Sequence, residues 1–222
     1  MGIREDRLER LKNIDLYPVI TGEFTAERGT LEVLKAVAKG GAKIVQLREK
    51  RMPKRELFEL AKEFRKICDE HNMLMIVDDE IDIAIAVDAD GVHLGQDDLP
   101  LASARLISTE LIIGQSTHSI AEAVAAQDAG ADYVNLGPIY PTSTKDVPTG
   151  DLGEEIIPKV VPLLDIPFTV MGGIKEKHIM KLLKLGALHI AMVTEVTQAE
   201  DVEEKVRTLR SYWTKFREKS KA

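Results

Sequence analysis

Eight short runs of apolar, often β-branched residues alternate with longer amphipathic stretches, and this alternation limits the folds available to the chain. The runs are almost continuously apolar toward their N-terminal ends, which is typical of parallel strands buried on both faces. Polar residues and glycines gather at their C-terminal ends. We predict strands at Leu16–Thr21, Ile44–Glu49, Leu74–Asp79, Gly91–Leu94, Ile112–Thr117, Tyr133–Gly137, Phe168–Gly173 and His189–Thr194.

The stretches between these runs carry apolar residues at helical spacing. Between the second and third strands, Leu57, Phe64 and Cys68 share one face, with Lys and Glu on the other. Thr30 is the expected N-cap of the helix before the second strand, and Ser119 or the residue before it caps the helix after the fifth. Eight strands alternating with helices in 222 residues predict a (β/α)8 TIM barrel with parallel strands. A doubly wound open sheet is the alternative, but no G-x-G-x-x-G motif follows the first strand.

Composition narrows the classes of partner. We expect one domain over residues 1–222, with a charged N-terminal extension at 1–15 and a C-terminal helix and tail at 202–222. A net charge of −7 argues against general binding to nucleic acid or an anionic membrane. No apolar run reaches the roughly 18 residues of a membrane span, and the charged start has no signal-peptide core. We therefore expect a cytoplasmic protein, and composition leaves open both a local basic pocket for small phosphorylated molecules and a homo-oligomer.

Charged residues cluster at the predicted C-terminal ends of strands two to four, where the active site of a TIM barrel lies. Gln46, Arg48 and Lys50 alternate along the second strand and therefore point to one side. Neighbouring cations in a barrel mouth favour an anion site, although an ion pair of Arg48 with a nearby carboxylate is the competing interpretation. Carboxylates after the third and fourth strands suit Mg²⁺ bridging to a diphosphate, and helix capping is the alternative for some of them. They are Asp78, Asp79, Asp97 and Asp98.

Polar residues and glycines also follow the last four strands. Ser116 can donate to a phosphate oxygen, and His118 is either a structural histidine or a proton-transfer residue. The turn after the sixth strand carries side chains suited to an anion, namely Thr142, Thr144 and Lys145. Gly172–Gly173 and the backbone at Val193–Thr194 predict the phosphate cradle that recurs in such barrels, although a glycine pair also suits a simple tight turn. Two anion sites predict an enzyme that joins two phosphorylated molecules.

Taken together, these motifs resemble the thiamine-phosphate synthase family. The resemblance runs from Leu16 to about Asp201 and is carried by QLREK (46–50), VDD (77–79), GVHLGQDDLP (91–100), GQSTHS (114–119), GADYVNLGPIYPTSTK (130–145), MGGI (171–174) and AMVTEVTQAED (191–201). It implies a transferase that condenses 4-amino-2-methyl-5-hydroxymethylpyrimidine diphosphate with thiazole phosphate. Thiamine phosphate and pyrophosphate would form in a dissociative, Mg²⁺-assisted reaction.

The resemblance also implies a role for each residue at the strand ends. The pyrimidine diphosphate would be held by Gln46, Arg48, Lys50, Asp78, Ser116 and Lys145. Among these the catalytic residues would be Arg48, Lys50, Ser116 and Lys145. The thiazole phosphate would be held by Thr142, Thr144, Gly173, Val193 and Thr194, and Mg²⁺ by Asp79 and Asp98.

Three positions depart from the family pattern. Asp78 stands where asparagine is usual and would repel a diphosphate unless it binds the metal. Thr194 replaces serine, and Glu195 replaces a small residue at a place where a carboxylate weakens phosphate binding unless it points away. Two alternatives stay open: a thiazole tautomerase-like paralogue, which would share the fold and use His118 as acid and base, and a weakly active barrel that binds thiazole or thiamine phosphate, which Asp78 and Glu195 keep possible. We expect the segment 143–153 to close over the site and exclude water.

Overall fold

The computed structural model describes residues 2–142 and 150–219. Its strands are all parallel and paired in sequence order, and the last pairs with the first to close a barrel. The predicted TIM barrel is confirmed, and the open sheet is wrong. The strands are β1 (Leu16–Ile20), β2 (Ile44–Leu47), β3 (Leu74–Asp78), β4 (Gly91–Leu94), β5 (Ile112–Thr117), β6 (Tyr133–Leu136), β7 (Phe168–Val170) and β8 (His189–Met192).

Helices surround the barrel because their apolar faces pack on the outward-facing side chains of the strands in one continuous core. The sequence analysis predicts a charged N-terminal extension at 1–15. In the structure, most of this segment forms the first helix. The helices are α1 (Ile3–Lys12), α2 (Thr30–Lys39), α3 (Lys54–Glu70), α4 (Ile81–Ala86), α5 (Leu101–Ile107), α6 (Ile120–Asp128), α7 (Ile157–Val160), α8 (Ile179–Leu185), α9 (Thr194–Thr197) and α10 (Val202–Lys219).

The two predicted helix caps have different outcomes. The Ser119 hydroxyl accepts a hydrogen bond from the Glu122 N–H at 3.1 Å, so this cap of α6 is confirmed. The prediction for Thr30 is wrong, because Gly29 is the N-cap of α2 and Thr30 is already helical. The Thr30 hydroxyl instead donates to the Glu49 carboxylate at 3.1 Å, which ties the start of α2 to the chain after β2.

The barrel interior is closed at the N-terminal ends of the strands and polar toward their C-terminal ends. Leu11 of α1 and Ile14 pack into the closed end with Tyr17, Ile44, Leu74, Ile76, Ile112, Tyr133 and Ala191. This apolar floor leaves the C-terminal end as the place where a site can open. Within the two described ranges, no helix combines the length and apolarity that crossing a membrane requires.

Candidate active site

A cavity opens at the C-terminal ends of the strands, as the sequence predicts. Side chains of a barrel strand point alternately inward and outward, so every second residue of each strand faces this cavity. The inward set includes predicted residues from five strands or the segments that follow them. They are Gln46, Arg48, Lys50, Asp78, Asp79, Ser116, His118, Thr142 and Val193.

At one end of the cavity, cations and carboxylates are in direct contact. Lys50 Nζ lies 3.0 Å from the Asp78 Oδ2 atom and also contacts the Asp79 carboxylate. Arg48 Nε lies 3.6 Å from the same Asp78 oxygen, so the ion pair that the sequence left open does form. This oxygen is buried and has no well-directed hydrogen bond, although both cations are near it. Arg48 and Lys50 are therefore held at the cavity wall by electrostatic attraction.

Acidic groups outnumber the cations at this end. Asp79, whose φ of 60° is one that Asp tolerates better than most residues, is hydrogen-bonded to Asp98. Burial, then the Asp78 charge and Asp98, raise the pKa of Asp79 to about 7 despite Lys50. Burial likewise raises the pKa of Asp78, although Lys50 and Arg48 oppose the shift. Capping of α5 by Asp97 or Asp98 is wrong, because the helix starts after Pro100 and Asp98 accepts the Gly95 N–H at 2.6 Å.

The donor set at this end fits a hard divalent cation. Paired carboxylates with raised pKa values mark a place where added positive charge is favourable, and oxygen ligands are those that Mg²⁺ prefers. Among residues 2–142 and 150–219 no group of three or more His, Cys, Asp or Glu side chains is arranged to enclose a metal. The pair Asp79 and Asp98 therefore fits an ion whose remaining ligands are water and substrate oxygens.

Ser116 and His118 occupy neighbouring positions on the cavity wall. Ser116 Oγ lies 2.9 Å from His93 Nε2, and the Ser116 carbonyl accepts from the Gln96 side chain at 2.5 Å. His118 Nδ1 lies 2.6 Å from the Gly137 carbonyl oxygen, which only accepts, so this nitrogen carries the proton. The backbone thus fixes the ring orientation of His118 and leaves its Nε2 edge as the one available for proton exchange.

The opposite end of the cavity is formed mostly by backbone. Gly172 and Gly173 have φ values of 98° and 62°, and Cβ atoms added there would lie 2.3 Å from Pro138 Cβ and from the Pro141 carbonyl oxygen. Only glycine fits both the backbone angles and these close approaches. The same recess is lined by Thr142, Val193 and Thr194, so the structure brings the described members of the predicted cradle together.

Glu195 borders this cradle, but its carboxylate is occupied. It lies 3.4 Å from Lys175 Nζ and 3.4 Å from Lys205 Nζ, and it accepts the Glu176 N–H at 3.3 Å. From the sequence, we expect the Glu195 carboxylate to weaken phosphate binding unless it points away from the phosphate. The two lysines neutralise its charge, so the cradle does not carry an unpaired negative charge from this residue.

Two predicted site residues, Thr144 and Lys145, lie outside the described residues, as do positions 143–149 of the segment predicted to close. Conversely, the cavity wall contains His93 and Asn135, which the sequence reasoning missed. Asn135 Oδ1 accepts from the Thr169 hydroxyl at 2.8 Å. The sequence signal that could have found His93 is the two-residue period of a strand, which puts His93 on the same side of β4 as Gly91.

Comparison with known proteins agrees with this geometry. The model of the thiamine monophosphate synthase family matches residues 16–196. The thiamine-phosphate synthase of Pelotomaculum thermopropionicum is 42% identical over 210 residues, which cover 94% of this chain and 96% of that protein. The enzyme of the same name from Dictyoglomus thermophilum is 38% identical over 205 residues, which cover 92% of each.

Solved structures extend the comparison. The thiamine phosphate pyrophosphorylase from Pyrococcus furiosus superposes with a TM-score of 0.86 at 36% identity, covering 93% of this chain and 98% of that one. A 3-hexulose-6-phosphate synthase reaches a TM-score of 0.65 at 18% identity, which shows the shared barrel alone. The resemblance carried by the sequence motifs is confirmed, and the chain belongs to the thiamine monophosphate synthase family of TIM-barrel transferases.

Proposed function

We propose that the protein is a thiamine-phosphate synthase that condenses 4-amino-2-methyl-5-hydroxymethylpyrimidine diphosphate with thiazole phosphate. The observation that carries the proposal is that the two ends of the cavity are built from different groups, each of which suits a different anion. The end at β2–β4 holds cations beside paired carboxylates, which suits a diphosphate with a divalent metal. The end at β7–β8 is a glycine-lined recess, which suits a monophosphate.

At the diphosphate end, the cations would exchange their carboxylate partners for the substrate. Arg48 and Lys50 would turn from Asp78 to the phosphate oxygens, and Gln46 and Ser116 would donate hydrogen bonds. Asp79 and Asp98 would hold Mg²⁺, which supplies positive charge to the departing pyrophosphate when bound. Lys145 is proposed for the same site on the resemblance alone.

At the cradle end, backbone groups would do most of the binding. The N–H groups near Gly173 and at Val193–Thr194 can approach a phosphate closely, because no Cβ stands at the glycine. The Thr142 hydroxyl, and that of Thr144 by resemblance, would complete the thiazole phosphate site. This arrangement would fix the thiazole with its nitrogen toward the pyrimidine methylene.

The reaction needs one bond broken and one formed. The C–O bond between the pyrimidine methylene and the diphosphate breaks, and its electron pair leaves with pyrophosphate. The lone pair of the thiazole nitrogen then forms the C–N bond to the resulting cation. No proton moves in either step, so the protein acts by positioning and by stabilising the leaving group with Arg48, Lys50 and Ser116.

A coupling assay tests the proposal directly. Purified protein is incubated with both substrates in Mg²⁺ and, as the matched control, in excess chelator, and thiamine phosphate is quantified. Magnesium-dependent product is expected. Folded protein that binds both substrates and yields no thiamine phosphate in Mg²⁺ would contradict the proposal.

A tautomerase-like activity is the second candidate, because His118 lines the cavity with its ring anchored. Isomerising a thiazole requires a group that gives and takes a proton, whereas the coupling reaction does not. We expect His118→Ala to keep most coupling activity, as should the control His71→Ala at the exposed end of α3. Loss of coupling in His118→Ala with thiazole phosphate binding intact would favour proton transfer at this residue. Binding of thiamine phosphate without turnover would support the other alternative, a weakly active barrel that binds thiazole or thiamine phosphate.

The cellular location and the partners that the sequence predicts remain proposals. We propose cytoplasmic action on small phosphorylated molecules, with no nucleic acid or membrane partner, in accord with the net charge of −7. Sedimentation of the purified protein at several concentrations tests whether it forms a homo-oligomer.

A further inference from the structure

A continuous line of hydrogen-bonding side chains crosses the barrel interior beneath the cavity. Gln46 Nε2 lies 3.4 Å from the Tyr17 hydroxyl, which lies 3.1 Å from the Tyr133 hydroxyl. The Tyr133 hydroxyl lies 2.9 Å from His93 Nδ1, and His93 Nε2 lies 2.9 Å from Ser116 Oγ. The line therefore joins Gln46 and Ser116, two residues of the proposed diphosphate site, through three side chains that have no role assigned so far.

The middle of this line is built into the core. Tyr17, Tyr133 and His93 are 2%, 0% and 5% exposed. A Cβ at Gly114 would lie 2.1 Å from the Tyr133 ring, so glycine at this position makes room for the tyrosine. Burial raises the pKa of both phenols, so both keep their protons as hydrogen-bond donors.

The direction of the line follows from counting protons. A diphosphate oxygen only accepts, so Ser116 must give it the single hydroxyl proton and cannot also donate to His93. A neutral His93 must then donate from Nε2 to Ser116, which leaves Nδ1 without a proton and able to accept from Tyr133.

The remaining steps follow in the same sense. The Tyr133 hydroxyl donates its hydrogen bond to the imidazole, so it accepts from Tyr17. Tyr17 in turn accepts from the amide nitrogen of Gln46, a group that only donates. Every hydroxyl in the line thus donates once and accepts once, and no proton is counted twice.

We propose that His93, held as its Nε2–H tautomer by Tyr133, is a positioning residue that directs the Ser116 hydroxyl proton toward the leaving diphosphate. The identity of that anion rests on the proposed function, but the tautomer does not, because counting from the Gln46 amide, which only donates, to Tyr17, Tyr133 and His93 Nδ1 gives the same result without an anion. Because the hydroxyl is oriented before the substrate arrives, it needs no reorganisation as charge develops on the leaving group.

Nitrogen NMR of protein labelled with ¹⁵N-histidine tests the tautomer without any turnover. His93 is assigned by the signal that disappears in His93→Gln, and spectra are taken with and without inorganic pyrophosphate and Mg²⁺. We expect a protonated Nε2 and a bare Nδ1 in both conditions. In Tyr133→Phe, which removes the donor to Nδ1, we expect a mixture of tautomers. A protonated Nδ1 in the unaltered protein would overturn the proposal even if the enzyme is fully active.

Kinetics test the consequence for Ser116. We expect His93→Leu to lower kcat for coupling by about tenfold to a hundredfold, with the KM for thiazole phosphate unchanged, and His93→Gln to recover part of the loss through its amide N–H. Ser116→Ala should show a similar loss, and adding His93→Leu to it should cost less than about twofold more. Losses that multiply in the double variant would mean that His93 does not act through Ser116.

A matched control separates positioning from stability. Trp213 is buried and donates to the Leu188 carbonyl at 2.6 Å on the outer layer, so Trp213→Phe removes a buried donor far from the cavity. It should lower thermal stability with kcat unchanged. If the unaltered protein forms no thiamine phosphate, the proposed function fails, and the NMR result alone decides the tautomer.

Discussion

The two ends of the cavity are built from different groups, and under the proposed function they would bind anions by different physical means. At β2–β4 the groups that an anion would meet are charged side chains, with Lys50 Nζ 3.0 Å from the Asp78 carboxylate and a second cation beside it. At β7–β8 they are backbone groups, with Gly173 at a φ of 62° and no space for a Cβ. A side-chain site depends on charge balance, whereas a backbone site depends on shape.

The two ends should therefore tolerate different kinds of substitution. Changes of charge at constant shape should alter substrate binding at β2–β4, where burial raises the pKa values of Asp78 and Asp79. Additions of volume at constant charge should act at β7–β8. Measuring the KM of each substrate separately assigns every effect to one end.

The largest effect is expected from Asp79→Ala at the charged end. Losing one of the two carboxylates proposed to hold Mg²⁺ should lower kcat/KM by about two to three orders of magnitude. The control Asp82→Ala removes an exposed carboxylate that pairs with Lys54 at 3.0 Å, and it should keep the activity. Turnover at several Mg²⁺ concentrations is the measurement. Near-normal turnover in Asp79→Ala would place the metal elsewhere.

Gly173→Ala should give the next largest effect, at the cradle. The added Cβ would lie 2.3 Å from the Pro141 carbonyl oxygen, so the backbone must shift. The KM for thiazole phosphate should rise about tenfold to a hundredfold, with the KM for the pyrimidine diphosphate unchanged. Gly130→Ala is the control, because its φ of 93° is also positive, and among the described residues other than its chain neighbours no atom lies within 4 Å of the added Cβ. Equal effects of the two variants would attribute the change to backbone strain alone.

Asp78→Asn should have a smaller effect of opposite sign. Removing this buried negative charge frees Lys50 and Arg48 for the substrate and adds an amide donor, so the KM for the pyrimidine diphosphate should fall roughly fivefold to tenfold. Asp97→Asn makes the same charge change at an exposed neighbouring position and should leave this KM unchanged. A higher KM together with a higher Mg²⁺ requirement would make Asp78 a metal ligand.

The fold could be predicted closely because its signal is local. Every predicted strand begins where the structure has it, since a buried parallel strand starts with an apolar run. The C-terminal ends were less predictable. For example, β7 ends at Val170 although Gly173 was predicted, because the glycines leave the ladder to form the cradle. Thr30 could not be assigned, because the competing partner of its hydroxyl, Glu49, is distant in sequence.

The charged residues of the candidate site could be located from the sequence alone. Residues whose part in the site depends on contacts with distant segments could not. Alternation along β2 located Arg48 and Lys50 correctly on the cavity wall. His93 escaped notice because a single histidine in an apolar strand gives no sign of the tyrosine and serine that contact it from β6 and β5. Such contacts between distant segments exist only after the barrel has closed.

The smallest effect is expected from Glu195→Ala, and it tests whether charge matters at the backbone-built end. The carboxylate is 3.4 Å from each of Lys175 and Lys205, so its field at the cradle is already largely cancelled. The KM for thiazole phosphate should change by about twofold or less, and stability by about 1 kcal/mol or less, because the lysines are partly solvated. A tenfold fall in this KM would mean that Glu195 repels the phosphate. In that case both ends of the cavity would depend on charge, and the contrast between them would fail.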